Sequence, residues 1–465
     1  MNGNSDMNNK NKWLVLINVV IGTFMGTLDG SIVNVALPSI SAGLYVDITT
    51  VQWVVTSYLI TVSSLLLVFG KFSDIYGRKY LYIFGYAIFS IGSLFCGISS
   101  SLWFLVGSRV LQAIGAAVLM SINQAIISDT FPKEERGKAL GISGTVVALG
   151  NLAGPSVGGL LTGMFGWKSI FLINIPIGIA GAIMSYRVLS DGPRNKTDQF
   201  DYKGAFMFSI CVIIIFSGAL KMSFVTMLAA LPFIIMFIMI EKKQESPILD
   251  ASLFQIKLFR MGLASAFLSF LASNAITIIF PFYLQSIRGL TPASSGLVLM
   301  SFPLAMGISA PISGYISDLI GYKILTTAGL SIAACAYLGL CFIDATTGFF
   351  VIYLLLILMG TGIGIFQSPN NSSIMSSVPN KCLGVAASVN ALVRNLGMVS
   401  GITMAMAIYS FKMGSQGLSE NLELIENVQG FIVSMKTIYM AAFVVTAIGV
   451  GITMLRLKEV SGKKS

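Results

Sequence analysis

Residues Gly70–Lys79 read GKFSDIYGRK, and residues Gly314–Lys323 read GYISDLIGYK. The two copies are 244 residues apart, and each lies between two long apolar runs. Gly70, Asp74 and Gly77 recur at that offset as Gly314, Asp318 and Gly321. A tight charged turn between two membrane-length helices has been used twice, which predicts two related halves. Gly70 and Gly77 allow close backbone approach and sharp reversal. Asp74 falls near helix termini, where a carboxylate meets positive N-terminal dipoles. Arg78 and Lys79 hold the turn at a membrane surface. The turn is a topological anchor, a latch between the halves, or both. The second copy has Tyr322 in place of Arg78, so its ionic part is weaker.

Working outward, the chain is 55% hydrophobic and 10% charged, with a mean hydropathy of +0.84. A soluble domain carries about 25% charged residues. Apolar runs fall near 13–37, 51–70, 80–99, 102–126, 138–162, 169–189, 204–221, 223–240, 261–285, 293–316, 324–343, 349–371, 385–410 and 433–456. Each approaches or exceeds the roughly 20 residues that cross a bilayer as helix. We therefore expect an all-α membrane protein of 14 transmembrane helices: two six-helix bundles with a two-helix insert. The expected divisions are an N-terminal tail (1–12), a first bundle (13–190), a linker with two inserted spans (191–257, spans about 204–221 and 223–240), a second bundle (258–457) and a tail (458–465). The polar start runs into a retained first span rather than a cleavable leader.

Charge sets the expected orientation. With both termini placed in the cytoplasm, 22 of the 29 Lys and Arg residues fall on that side, five fall outside, and Arg109 and Arg394 lie within spans. That bias fits the positive-inside rule. The net charge of +10 is spread over short turns rather than gathered on one face, which argues against nucleic acid as a partner. Five scattered cysteines and no histidine leave no metal site and no histidine-dependent catalysis. A sensor or scaffold would need a sizeable soluble signalling domain, and the longest polar segments here are short linkers and the loop at 411–432.

Asp29 is the acidic residue placed well inside a span. A carboxylate there costs several kcal/mol unless it is neutral, paired or facing a watery cavity, so function is the default reading. Arg109, at a similar depth in the fourth span, is its natural partner. The pair is either proton-linked or a static brace of the half-bundle. Gly150, Gly154 and Gly158 lie four residues apart on one face of the fifth span, beside Pro155, and suggest close packing or a hinge. Other in-span polar groups are Asn34, Gln112, Asn123, Gln124, Asn274, Gln367, Asn370, Asn371, Asn390, Arg394 and Asn395. Of these Asn34, Gln112, Asn274, Gln367, Asn370 and Arg394 are candidates for a substrate cavity; the rest read as interhelical hydrogen-bonding groups.

Together these stretches resemble the major facilitator superfamily, specifically its 14-span drug:proton antiporters of the EmrB/QacA type, over essentially the whole chain. GKFSDIYGRK resembles the family's loop motif. LVGSRVLQAIGAA (Leu105–Ala117) resembles the fourth-span motif, with Arg109 and Gln112 in place. GNLAGPSVGGLL (Gly150–Leu161) resembles the antiporter motif, LDGSIVNVALP (Leu28–Pro38) the first-span motif, and WKSIFLINIPIG (Trp167–Gly178) the start of the sixth span. The resemblance implies alternating access in a monomer, driven by the proton gradient without a cofactor. It implies export of lipophilic or monocationic compounds across the cell membrane. Asp29 and Arg109 would belong to proton coupling. Gly70, Asp74, Gly77, Arg78, Gly150, Gly154, Pro155, Gly158, Gly314, Asp318 and Gly321 would belong to conformational switching. Relatives that export dications carry extra acidic residues in later spans; this chain has none. Export of an endogenous lipid or metabolite, and uptake by symport, remain open alternatives.

Overall fold

The structure is a computed structural model that describes residues 2–190, 202–220, 251–379, 383–415 and 428–461, with single positions at 232, 233, 236 and 239. Among the described residues there is no strand. Helix is the open-ended backbone state that satisfies its own polar groups in a bilayer, and the composition leaves little else.

In chain order the first helices are α1 (Asn2–Leu44), α2 (Ile48–Val51), α3 (Trp53–Tyr76), α4 (Lys79–Ile98), α5 (Leu102–Thr130) and α6 (Lys133–Phe165). They are followed by α7 (Ser169–Leu172), α8 (Asn174–Val188) and α9 (Tyr202–Leu220). Then come α10 (Lys257–Phe282), a π turn (Tyr283–Ile287), α11 (Pro292–Ile320), α12 (Tyr322–Leu340), α13 (Phe349–Ser376), α14 (Leu383–Ser415) and α15 (Val428–Ser461). Among the described residues, 11 helices are long and apolar enough to cross a membrane.

The expected count of fourteen spans is therefore not what the described residues support. The fifth expected span is the continuous helix α6. The seventh is α9, whose described side chains, Tyr202–Ile214, form a shorter apolar helix. The eighth, 223–240, lies almost wholly outside the described residues. α1 also runs on to Leu44, past the expected end at residue 37 and through Pro38. A proline inside a membrane helix is tolerated when neighbouring groups satisfy the backbone it disturbs. Here Gln285, in the π turn, donates to the carbonyl of Val35 at 2.9 Å.

The chain divides into two compact units. One holds Met1–Val33 and Trp53–Ile215; the other holds Asn34–Gln52 and Leu249–Ser465. In the first, α3 packs on α5, and α4 packs on both α5 and α8. In the second, α11 packs on α13, and α12 packs on both α13 and α15. α9 is seated on α3: Ser209 Oγ donates to Ser64 O at 3.0 Å, and the hydroxyls of Tyr76 and Tyr202 lie 2.7 Å apart.

The repeat of the sequence is visible in atomic detail. Gly77 and Gly321 end their helices with φ of 96° and 86°, and their N–H groups donate to Ser73 O and Ser317 O at 3.0 and 2.9 Å. Only glycine takes that backbone region without strain. A Cβ on Gly115 would lie 2.6 Å from Gly85 O, and one on Gly362 would lie 2.8 Å from Gly329 O. Gly85 and Gly329 are again 244 residues apart. Each unit thus crosses a helix pair backbone to backbone at the same place. Among the described residues a Cβ on Gly70 would meet nothing within 4 Å, and the positive φ at this turn falls on Gly77. Arg78 pairs with Asp129 and donates to Ala125 O at 3.1 Å. The side chains of Asp74 and Asp318 lie outside the described part.

α6 packs against α1 through the glycine face. A Cβ at Gly150 or Gly154 would run into Thr27 or Ser31, and one at Gly158 would lie 2.7 Å from Ile32. The hydroxyls of Thr23, Thr27 and Ser31 are returned to carbonyls of α1 itself. Among the described residues, Ser31 Oγ donates across to Gly150 O at 3.2 Å, and Lys12 Nζ of α1 pairs with Glu135 of α6 at 2.5 Å.

These crossings can be tested by adding one carbon. Gly115→Ala and Gly362→Ala should each destabilise by about 1–3 kcal/mol through overpacking. Gly107→Ala, on the same α5 but with open space around it, should stay within about 0.5 kcal/mol of wild type. Thermal unfolding in detergent reads the difference; equal behaviour of all three variants would refute the crossings.

Candidate functional site

The first unit is built around one ion pair. Arg109 and Gln112 share a face of α5, three residues apart. Arg109 Nη1 donates to Asp29 Oδ2 of α1 at 2.5 Å and to Gln112 Oε1 at 2.6 Å. Its Nε donates to Val54 O of α3 at 3.0 Å. The guanidinium lies 4.1 Å from the ring centre of Tyr58 (α3) and 5.6 Å from that of Phe171 (α7), within cation–π range. Gln112 Nε2 donates to Asp29 Oδ1 and to Ser93 Oγ of α4, each at 2.8 Å. Cys96 Sγ, one turn on, approaches Gln112 Oε1 at 3.8 Å. Asn174, the first residue of α8, donates through Nδ2 to Asp29 Oδ1 at 2.9 Å.

Asp29 is 0% and Arg109 1% exposed. Such burial takes several kcal/mol of hydration from each ion, offset only by close pairing and by bonds to the remaining lone pairs. The carboxylate here accepts three such bonds.

Local sequence explains where Asn174 stands. Pro176 cannot donate to Leu172 O, which allows the helix to break at Ile173 between α7 and α8. The break swings Phe171 and Asn174 to the ion pair. Neither stood among the expected site residues, nor did Tyr58. The sixth-span motif contains Phe171 and Asn174, and an asparagine two residues before a proline within an apolar run was the available signal. Tyr58 gave none, since a tyrosine in an apolar run reads as core.

The structure brings Asp29, Arg109 and Gln112 together and leaves the other candidates elsewhere. Asn34, five residues beyond Asp29 on α1, belongs to the second unit and is half-buried. In the second unit Asn274 donates to Phe270 O of its own helix at 3.0 Å. Asn370 is buried and donates to Gly262 O at 3.1 Å. Gln367 is half-buried. Asn390 donates to Asn371 at 3.1 Å. Arg394 is half-buried on α14 with no hydrogen bond or carboxylate partner among the described residues. The membrane spans of the second unit contain no acidic residue.

Many apolar helices enclosing one sealed charge cluster define a multi-span membrane transporter. Residues 19–402 match the Major Facilitator Superfamily, and the chain belongs to that family. It is a transporter and not an enzyme. The chain is 35% identical to the riboflavin transporter RibZ of Clostridioides difficile over 97% of its own length and 98% of that protein's. It is 30% identical to the multidrug transporter protein MdtP of Bacillus subtilis, over 86% and 76% of the two chains. Its fold is similar to the inward-facing, occupied structure of a bacterial homologue of the human lysosomal transporter Spinster. The TM-score is 0.72 at 17% identity, over 95% and 96% of the chains.

The ion pair predicts a strong double-mutant effect. Arg109→Leu should destabilise by about 3–5 kcal/mol, because it strands a buried carboxylate. Adding Asp29→Asn should recover most of that loss, since no uncompensated charge remains. Thermal unfolding of the single and double variants in detergent measures it; additive losses would show that the two groups do not depend on each other.

Proposed function

We propose that the protein is a proton-coupled exporter of lipophilic or monocationic small molecules, working by alternating access in the cell membrane. The observation that carries this reading is the carboxylate of Asp29, wholly buried and held by Arg109, Gln112 and Asn174. In the proposed cycle Asp29 takes a proton from outside, substrate leaves there, and the proton is released to the cytoplasm. One charge crossing the membrane contributes about 2.3 kcal/mol per 100 mV, or roughly 50-fold in a concentration ratio. No cofactor enters the cycle. Its arrangement is that of the 14-span antiporters: two six-helix bundles, two inserted spans, both termini cytoplasmic, and a monomer. The turn at Gly70–Lys79, its repeat at Gly314–Lys323 and the glycine face of α6 serve the change between states. The candidate substrate groups are Asn34, Asn274, Gln367, Asn370 and Arg394. With Arg394 and no acid in the later spans, dications are poor substrates.

A second reading has a specific observation behind it. The similarity to a riboflavin transporter extends over nearly the whole of both chains. It favours a metabolite of flavin type as the natural substrate, carried outward or inward by the same machinery.

Proton flux separates the readings. In everted vesicles with an acidified lumen, a lipophilic monocation or neutral amphiphile should cause alkalinisation of the lumen in wild type and none in Asp29→Asn. Equal responses in both would make Asp29 a static brace. No response to any drug, with labelled riboflavin accumulating in right-side-out vesicles, would put the metabolite reading first.

A further inference from the structure

We propose that Asn174 reads the protonation state of Asp29, donating to the carboxylate through its amide nitrogen and turning over to accept from the carboxylic acid. This rests on the reading that Asp29 takes up the proton. Asn174 is 1% exposed, and its Oδ1 has no hydrogen-bond partner among the described residues. Its Nδ2 lies 2.9 Å from Asp29 Oδ1. A carboxylate only accepts, so the nitrogen must face it; a carboxylic acid carries an O–H that must donate.

Of the three groups around Asp29, only one can receive that new donor. Arg109 has no acceptor, and it is fixed by Val54 O and the rings of Tyr58 and Phe171. Gln112 is engaged at both ends: its Oε1 takes Arg109 Nη1, and its Nε2 also binds Ser93 Oγ. Turning it over would set an amide nitrogen against the guanidinium. Asn174 loses nothing at Oδ1 by turning. A half-turn about its last side-chain bond exchanges nitrogen and oxygen in place, and that torsion is broad and roughly two-fold. The proton then sits on Asp29 Oδ1, facing Asn174, while Oδ2 keeps its bond from Arg109. One amide atom is unpaired in each state, so neither orientation is locked.

Two other buried amides, Asn18 and Asn123, also carry an unpartnered Oδ1. Their nitrogens face hydroxyls, those of Ser185 and of Thr23 and Ser143. A hydroxyl gives or takes in either orientation, so those amides have nothing to read. The other titratable or charged groups around Asp29 are Arg109 on α5, Cys96 on α4 and Tyr58 on α3.

Infrared difference spectroscopy of the full chain in liposomes, recorded between alkaline and acidic pH, tests the switch. The asparagine side-chain carbonyls are labelled with carbon-13. Acidification should produce a carboxylic acid band that Asp29→Asn lacks. It should also move one label-sensitive amide carbonyl band to lower frequency, as Oδ1 gains a hydrogen bond, and this shift should be missing in Asp29→Asn and in Asn174→Leu. Should Asn174→Leu fail to assemble, Asn174→Thr replaces it in the assignment. An acid band with no Asn174-dependent shift overturns the switch alone. If no Asp29-dependent acid band appears at any pH, the proton-coupling reading falls, and the switch falls with it.

Discussion

A charge cannot stay in the low-dielectric interior of a membrane protein without its opposite close by, and the first unit is arranged around that constraint. Asp29 and Arg109 approach to 2.5 Å, and the groups that complete them come from α3, α4, α7 and α8. Moving α3, α4 or α8 far would leave a buried donor or acceptor unpaired, at about 1–3 kcal/mol each, and moving α7 would take the Phe171 ring from the guanidinium. The pair therefore ties these helices together, and removing one partner alone would strand the other as a buried charge.

The two units share a scaffold and differ in charge. Both end a helix on a left-handed glycine at the repeated turn, and both cross a helix pair at the equivalent glycine, Gly85 in one and Gly329 in the other. What was repeated is backbone geometry, which small residues specify. The first unit carries an acid and a base locked together; the second carries Arg394 without an acid in its membrane spans.

Much of this was legible before any coordinates. Apolar runs and repeated glycines are set by bilayer thickness and by sterics, both of which act on residues near in sequence. Asp29 and Arg109 were legible because charge in an apolar run is costly wherever it sits. Asn174 and Tyr58 were not, because their roles depend on helix rotation and on a break at Ile173. The number of spans was harder still, because the expected span at 223–240 lies almost wholly outside the described residues.

The two faces of α1 have opposite mechanical character. One is bolted at Asp29 by charge-assisted bonds. The other lies in the glycine face of α6, where its hydroxyls turn inward to α1 and the described bonds that cross are those of Ser31 and Lys12. Contact there rests on shape rather than on buried charge, so added bulk on α6 would push α1 off its seat without touching the charge cluster.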